Sequence, residues 1–188
     1  MATDWLGISI SVVGGALIPI ALYAGQKSVA RAQATMDLLK EFNSSEMAEA
    51  RGKARRFVLD SPGRSYAEME ELPVQEGQRP EAEYLYLIVR FYHRLNALRE
   101  SNLLQDNRLL TLFGPVFGYW WKLSFEPQLM NSSNWRVGAD IRRLKNFFDK
   151  RSIAENKNAY WQQCLQDGLD DRLSEIDRHS ASAQAVCG

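Results

Sequence analysis

Histidine is the side chain best suited to proton transfer near neutral pH, and this 188-residue chain contains only two of them. His93 lies between Tyr92 and Arg94 beside an apolar stripe, with no second type of metal ligand near it in sequence. We therefore interpret His93 as a packed or partly exposed helix residue. His179 follows Arg172 in an R-x6-H pattern within a polar stretch near the end of the chain, and this pair is the candidate for chemistry.

The Arg172 and His179 spacing resembles the signature of helical ribonucleases with the higher-eukaryote-and-prokaryote-nucleotide-binding (HEPN) fold. That resemblance implies that the arginine and the histidine act together on an RNA phosphate at a dimer interface. Two-residue patterns also arise by chance, so the alternative that neither residue has a chemical role stays open.

Other signatures of enzymes and metal sites are absent from the sequence. It has no glycine-rich phosphate loop, no G-x-S-x-G elbow and no H-E-x-x-H helix. Carboxylate pairs such as Glu46 and Glu49 have the spacing of a solvated helix face. Cys164 and Cys187 lack zinc-site spacing and are too few for a disulfide framework. We predict no metal and no cofactor.

The charge balance argues against a generally basic protein that binds nucleic acid, because 23 Lys and Arg residues oppose 23 Asp and Glu residues. Two local groups are basic. One group is the candidate contact for anionic headgroups or another polyanion, with RNA not excluded, and the simpler alternative is a solvated face paired with acidic neighbours. It comprises Arg51, Lys53, Arg55 and Arg56, and the second group comprises Arg136, Arg142, Arg143, Lys145, Lys150 and Arg151.

The stretch from Trp5 to Gln26 contains no Asp, Glu, Lys, Arg or His. As a helix it would cover roughly 33 Å, which matches the hydrocarbon thickness of a bilayer. Asp4 precedes it, whereas Lys27 and Arg31 follow it, so the positive-inside rule places the rest of the chain in the cytoplasm. We predict a retained transmembrane anchor at 1–26, with membrane lipid as one partner, and the alternatives are a cleaved signal peptide and a buried helix of a soluble protein.

Small residues recur every four positions in this segment, at Gly7, Ser11 and Gly15. Such a stripe lets the backbone of a neighbouring helix approach closely, so it favours a homo-oligomer. Since Gly and Ser are also common in membrane helices without a packing role, that alternative stays open.

The remainder of the chain has helical periodicity and no sustained alternation of period two, so we predict an all-α protein. A cytoplasmic helical domain is expected at 27–179, followed by a flexible tail at 180–188. The helix of the span is expected to continue into this domain and to end at about Asn43. The predicted apolar stripes are Met47, Ala50, Ala54 and Phe57; Leu85, Ile88, Tyr92 and Leu95; Leu109, Leu112, Phe113, Val116, Trp120 and Leu123; and Val137, Ile141, Leu144 and Phe148.

Several of these segments resemble a bacterial family known as domain of unknown function 4760. They are the helix with Ala34-Thr-Met-Asp-Leu-Leu-Lys-Glu-Phe, then Ser45-Glu-Met-Ala-Glu-Ala-Arg51, then Phe91-Tyr-His-Arg-Leu ahead of Tyr119-Trp-Trp. The resemblance covers roughly residues 5–150 and implies a single-span inner-membrane protein with a helical cytoplasmic body. The layout is also similar to small CRISPR-associated membrane proteins that assemble into a ring or pore.

The leading functional hypothesis is a non-enzymatic, membrane-anchored interaction protein that associates with itself and with an unknown cytoplasmic protein. One alternative is an oligomeric pore that depolarises the inner membrane, in antiviral defence. The other is a membrane-tethered ribonuclease that uses Arg172 and His179.

Overall fold

Every described element of the chain is helical, and no strand occurs among the described residues, which confirms the all-α prediction. The computed structural model describes the backbone of residues 5–61, 64, 66, 68, 81–131 and 135–186, and the side chains of residues 23, 25–61, 64, 66, 68, 82–130, 135–174 and 176–178. The α-helices are α1 (Trp5–Phe42), α2 (Ser45–Leu59), α3 (Glu81–Glu100), α4 (Asp106–Trp120), α5 (Glu126–Asn131), α6 (Gly138–Ala154) and α7 (Asn158–Val186). A π-helical turn, Trp121–Phe125, joins α4 to α5.

Helix α1 runs without a break from the predicted span into the body, as the sequence predicts. Its side chains at 23 and 25–30 are exposed, and burial begins only with Thr35, Leu38 and Phe42. At 1.5 Å per residue, this 38-residue helix is about 57 Å long. Among its described side chains, only those in its last third therefore pack on the bundle.

Across the described side chains, which begin at Tyr23, no helix is both long and apolar enough to cross a membrane. The predicted span, Trp5 to Gln26, lies almost wholly ahead of them.

Helix α2 packs as predicted. The Ser44 hydroxyl accepts a hydrogen bond from the Met47 amide at 3.2 Å and caps the helix. Met47, Ala50, Ala54 and Phe57 are all buried, which confirms that stripe.

The core is aromatic and centres on α3 and α4. The Tyr92 ring lies 5.0 Å from the Phe117 ring, and Phe117 also lies 5.2 Å from Phe148 on α6. Phe42 brings α1 into the same cluster, 5.0 Å from Phe91. The predicted stripes on α3 and α6 are buried, with Val137 only partly so.

The predicted stripe on α4 is correct only in part. Leu112 and Val116 are partly exposed, whereas Phe117, which is not in the predicted stripe, is fully buried.

Two asparagines in the left-handed region end helices at the same end of the bundle. Asn102 (φ 58°) follows α3, and Asn156 (φ 54°) follows α6. In each case the next residue donates a backbone hydrogen bond to the carbonyl five positions earlier, Leu103 to Leu98 and Lys157 to Ser152. This is the Schellman arrangement, which stops a helix and turns the chain.

The start of α4 and the end of α7 add two details. Gln105, the residue before Asp106, precedes the first turn of α4, and its amide donates to the Thr35 hydroxyl of α1 at 3.0 Å. Helix α7 extends to Val186, so the predicted tail 180–188 begins inside a helix.

Candidate functional site

An open groove of about 940 Å³ lies between α5, α6, α7 and the π-helical turn. One face of α6 and one face of α7 each contribute residues over about three helical turns, and the π-helical turn and α5 close the third side. Clefts of this volume between helices are typical of binding sites. The groove is lined by Trp121, Lys122, Glu126, Leu129, Met130, Arg142, Lys145, Asn146, Asp149, Ile153, Asn158, Gln162, Leu165, Gln166 and Leu169.

The π-helical turn contributes Trp121 and Lys122 to the third side of the groove. The Glu126 amide donates to the Trp121 carbonyl, which is the five-residue spacing of a π-helix. Such a turn adds one residue to the helix and changes which side chains face inward. Here it buries Trp121, Leu123 and Phe125 together. π-Helical turns frequently occur at functional sites.

Glu126 on the groove wall already has its partners. Lys122 donates to its two carboxylate oxygens at 2.9 and 2.7 Å, and the Trp121 indole donates to one of them at 3.3 Å. The pair is therefore neutral, and the carboxylate has little capacity left for a cation.

Asp149 on the opposite wall has the same type of environment. It accepts from Lys145 at 2.7 and 2.8 Å and from the Trp161 indole at 2.7 Å. The Lys145 ammonium also lies 5.4 Å from the Trp121 ring and 5.6 Å from the Trp161 ring, within the range of cation–π attraction. Both acidic groups of the groove are thus neutralised internally.

The groups that remain for a ligand are one cation, exposed amides such as Asn146, and an apolar surface. Arg142 is exposed, and among the described residues it has no ion pair. Met130 is 77% exposed and Ile153 is 66% exposed at the rim, above the buried Leu165. This chemistry suits an elongated apolar body that carries one negative charge, and it does not suit a metal ion.

Arg51 and Lys53, two of the cations predicted to contact headgroups, contact other parts of the protein. Arg51 donates to the Phe42 carbonyl, and its guanidinium lies 4.4 Å from the Phe42 ring. Lys53 pairs with Glu49 at 2.7 Å and donates to the Tyr84 hydroxyl at 3.0 Å. The role of these cations in binding headgroups stays a prediction.

Arg55, a third member of that group of cations, joins three helices. It donates to the Tyr119 hydroxyl at 2.6 Å and to Asp171 at 2.8 Å, and Tyr119 donates to the same carboxylate oxygen at 2.7 Å. Arg56, the fourth member, is exposed, and no ion pair is found for it within the described part of the chain.

Two pKa shifts follow from the contacts of Tyr119 and Asp171. Partial burial raises the pKa of the Asp171 carboxyl, but the hydrogen bonds from Tyr119 and Arg55 outweigh burial and hold that pKa below its usual range. Burial, together with the hydrogen bond to Asp171, raises the pKa of Tyr119 to about 12. The carboxylate is therefore charged and the phenol neutral at physiological pH.

The R-x6-H pair lies on α7, just after Asp171. Arg172 is partly exposed, and the side chain of His179 lies outside the described residues. Seven residues of helix separate the two positions by about 10 Å along the axis. The chemical role of this pair stays a prediction. The Gly7, Ser11 and Gly15 stripe falls on helical backbone whose side chains also lie outside the described set.

The other histidine, His93, is partly exposed on α3, and its Nδ1 lies 2.8 Å from an oxygen of Asp140 on α6. This agrees with its interpretation as a helix residue. Among the described residues, no group of three His, Cys, Asp or Glu side chains is arranged to hold a metal ion.

The groove is the site that the sequence did not reveal. Its walls come from segments up to 48 positions apart, Trp121 to Leu169, and amides such as Asn146 and Gln162 form no known motif. One signal of the irregular turn was present in the sequence. Trp120 and Trp121 are adjacent and both are buried, whereas an ideal α-helix cannot bury two adjacent residues equally well on a narrow face. No protein-family profile, curated protein or solved structure matches this chain.

Proposed function

We propose that this protein is a membrane-anchored helical interaction protein of the bacterial inner membrane, which associates with itself through its span and holds a cytoplasmic partner chain. The observation that carries the proposal is the course of α1, one helix from Trp5 to Phe42. Its uncharged first part has the length of a bilayer core, and its last part packs on the bundle.

The groove supports the interaction part of the proposal. Exposed apolar side chains such as Met130 and Ile153 would lose their contact with water if a partner covered them. Since Glu126 and Asp149 have internal partners, the charge of Arg142, which has no ion pair among the described residues, gives the groove a preference for a partner with an acidic side chain.

The experiment is to express the full-length chain in a bacterium, wash the membranes with alkaline carbonate, and measure the mass in mild detergent by light scattering. We expect the protein to stay in the membranes and to have a mass of more than one chain. Replacing Gly7→Leu and Gly15→Leu together should leave the protein in the membranes but lower its mass toward one chain, because leucine keeps the helix backbones apart.

The matched control is Val13→Leu with Ile20→Leu, which changes residues of the same span outside the small-residue stripe and should leave the mass unchanged. Release of the wild type by carbonate would refute the anchor. A monomeric wild type, or an unchanged mass in the glycine variant, would refute self-association through the stripe.

A further inference from the structure

The end of the bundle from which α1 emerges carries an exposed leucine. Leu103 lies in the turn between α3 and α4 and is 50% exposed, whereas its neighbour Leu104 is buried. In a Schellman arrangement the residue at this position usually packs back on its own helix. Here that packing is incomplete, because the residue stays half exposed.

Two hydrogen bonds hold this turn against α1. The Arg31 side chain donates to the Asn102 carbonyl at 2.7 Å, and the Gln105 amide donates to the Thr35 hydroxyl at 3.0 Å. Leu103 lies between these two contacts in the chain. Its height along α1 is therefore set by the positions of Arg31 and Thr35.

That height is close to the end of the predicted span. Arg31 and Thr35 follow Gln26 by five and nine residues, which correspond to about 8 and 14 Å of helix. The headgroup region adds about 5 to 8 Å on each side of the hydrocarbon core. The turn therefore lies at the outer edge of that region.

Exposed cations near the turn can contact an anionic surface, and the acidic residues that flank the turn are Glu100, which pairs with Arg99, and Asp106. Lys27 on α1 and Arg108 in the first turn of α4 are exposed, and neither has an ion pair within the described residues. Val29 adds an apolar side chain, 70% exposed, on the same part of α1. Exposed cations beside exposed apolar groups are typical of surfaces that contact anionic lipid.

We propose that the α3–α4 turn docks on the bilayer in which α1 is anchored, with Leu103 inserted among anionic headgroups and Arg108 and Lys27 contacting them. This inference rests on the proposed function, because it uses the membrane anchor. The docked turn would hold the body in one orientation and keep the opposite end of the bundle away from the lipid.

The test uses single-cysteine versions of the full-length protein, with Cys164→Ala and Cys187→Ser, in vesicles that contain anionic lipid. An environment-sensitive dye is attached at Leu103→Cys, at Leu17→Cys in the span, or at Asp60→Cys. Asp60 follows α2, whose Lys53 contacts Tyr84 near the start of α3, so it lies at the opposite end of the bundle. Nitroxide lipids, labelled on the headgroup or on the acyl chain, then quench the dyes.

We expect the headgroup nitroxide to quench the dye at position 103 strongly and the dye at position 60 hardly at all, while the acyl-chain nitroxide quenches position 17. A quenched position 17 with an unquenched position 103 overturns the docking and leaves the anchor intact. An unquenched position 17 overturns both. Equal quenching at 103 and 60 overturns the proposed orientation. Circular dichroism of each labelled protein verifies that the fold is kept.

Discussion

The contact among Arg55, Tyr119 and Asp171 shows how single residues join the helices of this bundle. Each comes from a different helix. The Arg55 guanidinium and the Tyr119 hydroxyl both donate to the same carboxylate oxygen of Asp171, and Arg55 also donates to Tyr119. Because Asp171 is partly exposed, the attraction between its charge and that of Arg55 is screened by water. The Tyr119 hydroxyl adds a hydrogen bond that depends less on the salt concentration.

The variant Tyr119→Phe should lower the free energy of unfolding by about 1 kcal/mol at neutral pH, since it removes the hydroxyl and leaves the Arg55–Asp171 pair. The pKa of Asp171 is lower in the folded protein than its reference value of 3.8, which applies to the unfolded chain. Its contribution to the free energy of unfolding is therefore fully present above pH 3.8 and is lost as the pH falls through the folded pKa. The difference between wild type and variant should therefore shrink below about pH 4.

Urea unfolding of the full-length protein in mild detergent, followed by tryptophan fluorescence, measures this difference. Tyr160→Phe is the control, because that ring is half exposed. Its effect should stay below about 0.5 kcal/mol. A Tyr119→Phe difference that stays constant from pH 7 down to the lowest pH at which the protein is folded would contradict the role given to Asp171.

At the scale of elements, the helices with a regular apolar repeat could be predicted from the sequence. Helices α2, α3 and α6 bury the expected stripes, because each packs one face on the core without interruption. Phe117 was missed because α4 carries two adjacent apolar stripes, and the buried one runs through Leu110, Phe113 and Phe117 and not through Leu112 and Val116. The groove could not be predicted, since it depends on how α5, α6 and α7 meet.

The packing of α7 on α4 depends on a glycine at the point of closest approach. A Cβ at Gly168 would overlap the carbonyl oxygen of Tyr119 and lie 2.9 Å from its carbonyl carbon. Backbone atoms cannot move aside as a flexible side chain can, so Gly168→Ala must push the two helices apart. We expect a loss of about 3 kcal/mol in the free energy of unfolding.

Gly52→Ala makes the same chemical change on the exposed side of α2, where nothing lies within 4 Å of the new Cβ. It should stabilise the protein by up to about 1 kcal/mol through helix propensity alone. Thermal unfolding followed by circular dichroism compares the two variants. Opposite signs are expected, and a Gly168→Ala variant as stable as wild type would show that α4 and α7 do not approach as closely as described.

For the whole molecule, the proposed function gives the anchor and the groove different tasks. Helix α1 leaves the bundle beside the α3–α4 turn, whereas the groove opens on the side formed by α5, α6 and α7. A partner bound in the groove therefore need not compete with the span. We expect that partner to be a helix with an apolar face and an acidic side chain, because Arg142 is the cation that the groove leaves unpaired within the described residues.

A photo-cross-linking amino acid at Met130 of the full-length chain should form an adduct with this partner in cells, whereas the same amino acid at the exposed Ala48 of α2 should not. Arg142→Glu should reduce the adduct roughly tenfold, because the reversed charge repels the acidic group and about 1.4 kcal/mol corresponds to that factor. Lys150→Glu makes the same charge change on α6 outside the groove lining and should leave the adduct unchanged. Equal yields from the two charge variants would show that charge in the groove does not select the partner, and equal adducts at Met130 and Ala48 would show that the groove is not the binding site.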